Sequence, residues 1–513
     1  MLWTFFIYLA ILLVIGFIAE RSTKGMDSFV LGDRQTGVWM TALSYEATAY
    51  SGWLMLGFPG KAFAKGLCAI WVGVSCVLGD ALNWILLSRR LRDETEKLRA
   101  LTIPEYLDKK FPREGSASIR LAATLAILIF MFIYLWSQFV AAGKAIATVM
   151  PELNYTQATI LSASVILVYT FQGGYRAVVW TDAFQGAMMV IALVLLPAAC
   201  IWQIGGWSEL RQLLSEASAD VAKIPDAQRH SWRMHEWFGG LAGLPLLRFL
   251  LEDAGVGAGY LGQPHICVRF MGAKSSRELR PAFWISIIWA SVVCAGAVVV
   301  GLVAHHWYHI VPAGSVATSA DTLRESLPVA SAEEILPRLA MKVLPTWLAG
   351  FTVSAIMAAI MSSASSYLLS ASSSLVQDLY HRQFRPLADQ QELLRASRAV
   401  TLLLGGCALL LAISTNAFDE HATVYKLVLY GWGGLAGAFS APVTLAVFYR
   451  KMTRAGCLAG IIAGTATVLA WHNIPALADS ANEVIPSMLI SAVAVVGVSL
   501  VDRARQTCPE TAT

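Results

Sequence analysis

Long apolar runs recur along the whole chain and limit what it can fold into. Each is about 17–25 residues long, enough to cross the hydrocarbon core of a bilayer as one helix. Helices are predicted because backbone amides in hydrocarbon must find their partners within the segment. The chain is therefore predicted to be an all-α integral membrane protein with about 13 transmembrane helices, at residues 2–19, 38–58, 66–88, 121–143, 157–173, 184–204, 238–263, 281–306, 346–375, 397–414, 425–448, 455–472 and 484–501.

The charged residues support this division. Only 14% of the 513 residues are charged, and the net charge of +4 is scattered between the apolar runs. This distribution argues against a nucleic-acid partner. With the N-terminus outside, 26 of the 38 lysines and arginines fall on the inner side. Such a bias is typical of a multi-pass plasma-membrane protein, for example of the bacterial inner membrane, with a cytoplasmic C-terminus.

Three of the predicted spans are too polar for plain lipid-facing helices. The first contains SYEATAYSGWLMLGFPG at residues 44–60, with Glu46, several hydroxyl groups and Gly52. Hydrocarbon offers no partner to a carboxylate or to a freed carbonyl group. We therefore expect this helix to line a polar cavity.

The second is LLRFLLEDAGVGAGYLGQPH at residues 246–265, which contains Gly255, Gly257 and Gly259. Such glycines serve either close helix packing or a helix interruption that faces a cavity. The cavity is favoured by the neighbouring side chains of Tyr260, Gln263 and Pro264. Interrupted helices at corresponding positions of two halves indicate a binding site near the membrane midplane.

The third polar span is rich in serine and reads SAIMAAIMSSASSYLLSASSS at Ser354–Ser374. Most of its hydroxyl groups are explained by hydrogen bonds to the preceding turn. The adjacent Ser362 and Ser363 are distinctive. Hydroxyl oxygens joined by carbonyl groups of an unwound helix are ligands that a small alkali cation accepts.

Ionisable residues within predicted spans are functional candidates because charge is costly in hydrocarbon. Glu46 and Asp80 lie at similar depths in their spans. Arg248 and Glu252 are four residues apart on one helical face, so an internal ion pair explains them and leaves Asp253 unpaired. No nucleophile–base pair or metal-ligand cluster has catalytic spacing in the three polar spans, so we do not expect an enzyme.

Nine phrases are spread in order over about residues 5–500: IGFIAERSTK, FVLGDRQTG, SGWLMLGFPG, LRALTIPEYL, VVWTDAFQG, GYLGQPHICVRFMG, SAIMAAIMSSAS, VQDLY and MTRAGCLAG. By these phrases the chain resembles the sodium/solute symporter family, and within it the bacterial sodium/proline symporters. The resemblance implies a 5+5 inverted-repeat core of the leucine-transporter (LeuT) type in a single transporter domain. Its parts would be a first helix and inner loop, two five-helix repeats, and two C-terminal helices with a tail, at residues 1–37, 38–204, 238–449 and 450–513.

The resemblance also implies functional residues. The coupling ion would be sodium, bound by Ala47, Tyr50, Ala359, Ser362 and Ser363. The proline site of the relatives maps onto Ser51, Gly52, Trp53, Tyr134, Tyr260 and Pro264. Arg34 and Asp182 match functionally sensitive positions near the cytoplasmic side. The candidates for coupling or gating are therefore Arg34, Glu46, Asp80, Asp182, Arg248, Glu252 and Asp253.

The chain departs from the proline symporters at two of these places. Ala49 replaces an aspartate, and Val256 replaces a tryptophan of the substrate site, which leaves room for a larger or charged solute. We predict a sodium-coupled symporter that imports a small solute, provisionally proline or a related amino acid. The protein would be embedded in the lipid bilayer and would need no obligate protein partner. The alternatives are proton coupling through Glu46 or Asp80, a different organic acid or cation as solute, and a transporter-like sensor.

Overall fold

The computed structural model describes residues 2–21, 25–112, 117–172, 174–221, 234–311, 325–418, 424–478 and 481–507. Residue 173, the predicted end of the fifth span, lies outside these ranges. Each predicted span coincides with a helix or with two half-helices. In chain order these are α1 (Leu2–Glu20), α3 and α4 (Val38–Ala49 and Phe58–Lys65), α5 (Ile70–Asn83), α8 (Ser118–Val149), α9 (Tyr155–Gln172), α10 (Tyr175–Gln203), α12 and α13 (Gly243–Ala258 and Pro264–Gly272), α14 (Leu279–Val303), α16 (Thr346–Ser373), α17 (Gln390–Phe418), α18 (Val424–Phe448), α19 (Arg454–Asn473) and α21 (Val484–Thr507).

Shorter elements connect these helices. They are α2 (Met26–Leu31), α6 (Arg89–Lys97), α7 (Ile103–Lys110), α11 (Trp207–Val221), α15 (Ile335–Val343) and α20 (Pro475–Ala478), with 3-10 turns at Gly32–Arg34, Gly66–Ala69, Ala304–His306 and Val329–Glu334, and π-helical turns at Trp53–Gly57, Trp84–Ser88 and Ser374–Phe384. Two short strands, β1 (Tyr308–Val311) and β2 (Glu325–Pro328), pair in parallel. Within the described ranges the other departure from helix and loop is an isolated parallel β-bridge between Thr36 and Ala273.

The helices have the length and apolar character of membrane spans. Nine helical runs in the described part of the chain are long and apolar enough to cross a membrane, and two further apolar helices, Trp3–Ala19 and Tyr155–Val168, are shorter. The remaining two predicted spans, the second and the seventh, are divided into half-helices. The run Trp53–Lys97 joins the later half of the second span to the third span, with a bend at Gly66, whose φ is +76°.

The breaks of the two divided spans lie inside the bundle, whereas the first turns of α12 are exposed. α3 packs against α10, α14 and α16, and α13 packs against α3. Large apolar side chains on the outer helices are exposed, among them Trp3 of α1 (81%), Leu410 of α17 (70%) and Val493 of α21 (71%). Exposed apolar faces around a buried polar centre are typical of helices that face lipid.

The glycines of α12 serve close packing. A Cβ on Gly257 would lie 1.8 Å from the carbonyl oxygen of Ser75 in α5, and one on Gly255 would lie 2.8 Å from the side chain of Ile485. For Gly255 and Gly257 the packing alternative is therefore correct, while a cavity at the interruption itself stays a prediction. The interruption comes after them, at residues 259–263, where Gly262 has a left-handed φ of +70°.

Candidate functional site

Helix α3 ends in the interior of the protein. Tyr50 leaves the helical conformation (φ −103°, ψ 81°), although its amide still bonds to the carbonyl oxygen of Glu46. In a continuous helix the amide of Gly52 would bond to the carbonyl oxygen of Thr48. Here it donates instead to Oε1 of Gln138 at 3.1 Å. The carbonyl groups of the last turn are therefore able to meet partners outside the helix.

Two serine hydroxyl groups of α16 approach these carbonyl groups. Ser362 Oγ donates to the carbonyl oxygens of Ala47 at 2.8 Å and Ala359 at 3.0 Å. Ser363 Oγ donates to the carbonyl oxygen of Ala47 at 3.3 Å. Both serines are fully buried. The structure thus brings together four of the five residues named for a cation site.

The fifth, Tyr50, lies at the edge of this group. Its ring is 5.7 Å from the ring of Tyr260, between centroids, and none of the described hydroxyl groups of α16 donates to its carbonyl oxygen. Sequence reasoning missed two neighbours of this group of oxygen atoms. The carbonyl oxygen of Thr48 is 3.2 Å from Ser363 Oγ and 3.4 Å from the hydroxyl of Tyr367. Tyr367 is four residues after Ser363, so the two side chains lie on the same face of α16. This spacing was the signal that could have identified Tyr367.

Aromatic rings surround the breaks in the second and seventh spans. Tyr134 stacks on Tyr367 with 4.2 Å between centroids, and its hydroxyl lies 3.4 Å from Oγ of Ser51. Tyr260 meets Trp432 edge to face at 4.7 Å. Three residues named for the substrate site, Ser51, Tyr134 and Tyr260, therefore share one cluster. Tyr367 and Trp432 join it without having been predicted.

The other residues named for the substrate site lie at the same breaks. A Cβ on Gly52 would lie 2.9 Å from a side-chain carbon of α16, so the backbone approaches closely there. Trp53 begins the π-helical turn, and Pro264 begins α13. The carbonyl oxygen of Val256 accepts a hydrogen bond from the indole of Trp432 at 3.1 Å. An aromatic side chain from α18 thus lies against the backbone of Val256.

A buried ion pair lies beside the serines. Arg269 of α13 is 2.9 Å from the carboxylate of Asp182 in α10, and both side chains are fully buried. Ser44 donates to the same carboxylate oxygen at 2.7 Å. Arg269 also donates to the hydroxyl groups of Thr48 and Ser366. Four helices, α3, α10, α13 and α16, are therefore joined by one polar network.

Arg269 was not among the candidates because the seventh span was predicted to end at residue 263. α13 (Pro264–Gly272) continues that span, so the arginine lies in a buried half-helix rather than in an inner loop. The signal for it was a single charge within an otherwise apolar helical segment.

Arg34 lies apart from this ion pair. Its guanidinium donates to three carbonyl oxygens, of Met271 at 2.6 Å, Ala100 at 2.8 Å and Thr95 at 3.1 Å. Burial, followed by the positive charge of Arg92, lowers the pKa of Arg34 to about 10. The side chain therefore keeps its charge at neutral pH and joins the 3-10 turn at Gly32–Arg34 to α13 and to the end of α6.

The charged residues of α12 are all paired. The predicted ion pair of Arg248 and Glu252 is confirmed, with 2.6 Å between Nε and Oε1. It is partly exposed and stabilises little. The prediction that Asp253 is unpaired is wrong. Asp253 forms a buried salt bridge with Lys61 of α4, which also donates to the hydroxyl of Tyr425 at 3.0 Å.

Glu46 and Asp80 meet between α3 and α5. Their carboxyl groups are fully buried and close enough for their charges to interact, although neither oxygen of Asp80 forms a hydrogen bond within the described residues. Ser286 of α14 donates to Glu46. Neither carboxyl group has a lysine or arginine partner among the described residues. Two buried carboxylates repel each other strongly. A proton or a small cation bound between Glu46 and Asp80 would relieve this repulsion.

The family model of the sodium:solute symporter family matches residues 29–464. The chain belongs to the sodium:solute symporter family. Within this family it is 35% identical over 505 residues to the sodium/proline symporters of Salmonella typhimurium and Escherichia coli, covering 98% of this chain and 93% of each relative. It is 34% identical over 494 residues to the high-affinity proline transporter PutP of Bacillus subtilis, covering 96% of both chains.

Solved structures show the same fold. A Na+-coupled sialic acid symporter in a substrate-bound, outward-open state matches with a TM-score of 0.73 at 19% identity, covering 97% of both chains. MHP1, a nucleobase-cation-symport-1 family transporter, matches with a TM-score of 0.51 at 13% identity, covering 95% of this chain and 96% of that one. The predicted LeuT-type inverted-repeat fold is confirmed, and this member of the symporter family is a multi-pass membrane protein. The division into repeats at residues 38–204 and 238–449 stays a prediction.

Proposed function

We propose that this chain is a sodium-coupled secondary active symporter that imports a small solute, with proline or a related amino acid as the provisional solute. One observation carries the proposal: the carbonyl groups at the end of α3 meet the hydroxyl groups of Ser362 and Ser363. The names of the bacterial sodium/proline symporters support the choice of ion and solute.

The gathered oxygen atoms fit a sodium ion. The carbonyl oxygens of Ala47 and Thr48 and the two serine hydroxyl groups are uncharged oxygen ligands, which hard cations prefer. The C-terminal end of a helix also carries a partial negative charge that attracts a cation. Each hydroxyl group has two lone pairs that rotation can direct toward an ion. In this proposal Tyr50 and Ala359 complete the ligand set.

The covalent chain links the ion site to the solute site. Ala47 precedes Ser51, Gly52 and Trp53 in the same break. An ion that orders the end of α3 also orders these residues, so the solute then binds with a smaller loss of conformational entropy. Such a coupling is reciprocal and typically changes each affinity about 5- to 150-fold.

The solute site suits a small zwitterion. The rings of Tyr134, Tyr260 and Trp432 offer apolar walls for a ring or alkyl side chain. Ser51 and the backbone groups that have no helical partner at the breaks offer hydrogen bonds to the ammonium and carboxylate groups of the solute. Proline combines these two features, which is why it is the provisional solute.

The same proposal includes the protein's location and activity. The chain would lie in a bacterial plasma membrane with its N-terminus outside and its C-terminus in the cytoplasm, as the lysine and arginine bias supports. The activity would be transport rather than catalysis, with a small molecule and the bilayer as partners.

The test is uptake of labelled proline into proteoliposomes that contain the purified chain. We expect accumulation with an inward sodium gradient and none when potassium replaces sodium. Equal accumulation with a proton gradient alone, in the absence of sodium, would contradict sodium coupling.

A further inference from the structure

His265 is a fully buried side chain beside the aromatic rings of the proposed solute site. Its ring lies 4.9 Å from the ring of Tyr367 and 6.3 Å from those of Tyr134 and Trp432, between centroids. Neither ring nitrogen forms a hydrogen bond with any residue in the described ranges. A neutral imidazole carries one N–H donor and one acceptor, and native proteins seldom bury such atoms without a partner. The two ring nitrogens therefore point to a ligand.

The backbone around His265 favours an anionic ligand. His265 is the second residue of α13, a nine-residue helix, and the first amides of a helix have no partner within it. The amide of Cys267 returns to the carbonyl oxygen of Gln263 at 2.9 Å. Within the described residues the amides of His265 and Ile266 make no such bond. The partial positive charge of a helix N-terminus attracts a carboxylate.

The side chains of Arg269 and Gln263, which lie on either side of His265 in the chain, already use their donors in other hydrogen bonds. The guanidinium of Arg269 is engaged with Asp182, 2.9 Å away, and with the surrounding hydroxyl groups. The side-chain amide nitrogen of Gln263 already donates to the carbonyl oxygen of Gly259 at 2.7 Å. Its oxygen is an acceptor and would repel an anion. The hydroxyl groups of Tyr50 and Tyr260 also have no partner among the described residues, but His265 is the unpartnered side chain that belongs to the first turn of α13.

The end of α3 presents the opposite polarity. Its last-turn carbonyl groups carry partial negative charge, whereas the start of α13 carries partial positive charge. The two breaks meet where the ring of Tyr50 lies 5.7 Å from the ring of Tyr260. An amino acid, whose ammonium and carboxylate groups are separated by one carbon atom, has the matching distribution of charge.

We propose that His265 donates a hydrogen bond to the solute's carboxylate at the N-terminal end of α13, and thereby selects solutes that bear a carboxylate. This inference rests on the proposed function, because it assumes that the solute binds between the two breaks. It assigns a specificity role to a residue that the sequence motifs did not single out.

The test compares L-proline with prolinamide, in which an amide replaces the carboxylate, in proteoliposomes with an inward sodium gradient. We expect His265→Phe to raise the KM for proline about 10- to 100-fold, because a hydrogen bond to a charged group is lost. kcat should change little. His265→Gln keeps an N–H donor and should recover part of the affinity. The matched control is His472→Phe, since His472 stacks on Tyr430 in α18 and lies outside the cluster.

Discrimination between the two solutes gives a second readout. The wild type should prefer proline over prolinamide, and His265→Phe should lose most of that preference. Sodium alone should still raise the melting temperature of His265→Phe, because the oxygen atoms around Ala47 are untouched. If His265→Phe does not fold, the comparison is made with His265→Gln, whose preference must fall.

The outcomes separate the two proposals. An unchanged KM and an unchanged preference in the folded variant overturn the role of His265 and leave the proposed function intact. Absence of sodium-driven proline uptake by the wild type refutes the proposed function, and this inference with it.

Discussion

Replacement of Ser362 and Ser363 by alanine is expected to weaken sodium binding while α16 stays folded. Each substitution removes one fully buried hydroxyl group and keeps Cβ, and alanine is a strong helix former. The loss of one oxygen ligand of sodium is taken as comparable to the loss of a hydrogen bond to a charged group, which costs about 1.5–3 kcal/mol. The sodium concentration for half-maximal uptake should therefore rise about 10- to 150-fold for each serine.

The two effects should not be independent. Both hydroxyl groups contact the carbonyl oxygen of Ala47, Ser362 at 2.8 Å and Ser363 at 3.3 Å. Residues that share a partner are coupled, so the double variant should differ from the product of the two single effects. Ser362 has the shorter contact and should have the larger single effect.

The assay is the initial rate of proline uptake into proteoliposomes as a function of external sodium. The matched control is Ser354→Ala on the same helix, because its hydroxyl donates only to the carbonyl oxygen of Gly350 at 2.8 Å among the described contacts. Melting temperatures with and without sodium distinguish lost binding from lost folding. A stable double variant with an unchanged sodium requirement would place the cation elsewhere and refute the reasoning.

Gly52→Ala should lower the melting temperature, because its Cβ would lie 2.9 Å from a side-chain carbon of α16 and overpacking typically costs about 1–3 kcal/mol. Scanning fluorimetry measures the shift, and an unchanged midpoint would mean that the break relaxes freely. Arg269→Met should destabilise the protein by about 3–5 kcal/mol, since it leaves the buried carboxylate of Asp182 uncompensated. Combination with Asp182→Asn should cost less than the sum of the single losses in a denaturant double-mutant cycle, and additive losses would argue against coupling in this pair.

The helices of this protein were predictable because the length and apolar character of a membrane span are local properties. The second span was also recognisable as unusual from neighbouring residues, because it contains Glu46, Gly52 and several hydroxyl groups. The seventh span was predicted too short, because Arg269 has the appearance of a loop residue. Its compensating partner, Asp182, lies 87 residues away in the chain.

The candidate site was predictable only in part. The pair of serines stood out as a pattern, but its contact with Ala47 bridges 315 residues for Ser362 and was suggested by the family resemblance rather than by periodicity. The salt bridge of Lys61 with Asp253 likewise joins two spans. Tyr367 was within reach of the helical period from Ser363, whereas no pattern pointed to Trp432.

The amino-acid sequence by itself determined that the chain crosses a membrane many times, where its helices lie, and which of them are unsuited to plain lipid contact. These properties depend on the composition and period of neighbouring residues. Only the tertiary structure decided which polar groups meet: Glu46 with Asp80, Arg269 with Asp182, and the end of α3 with the serines of α16. The reason is physical, since burial leaves each of these groups dependent on a partner that comes from a distant span.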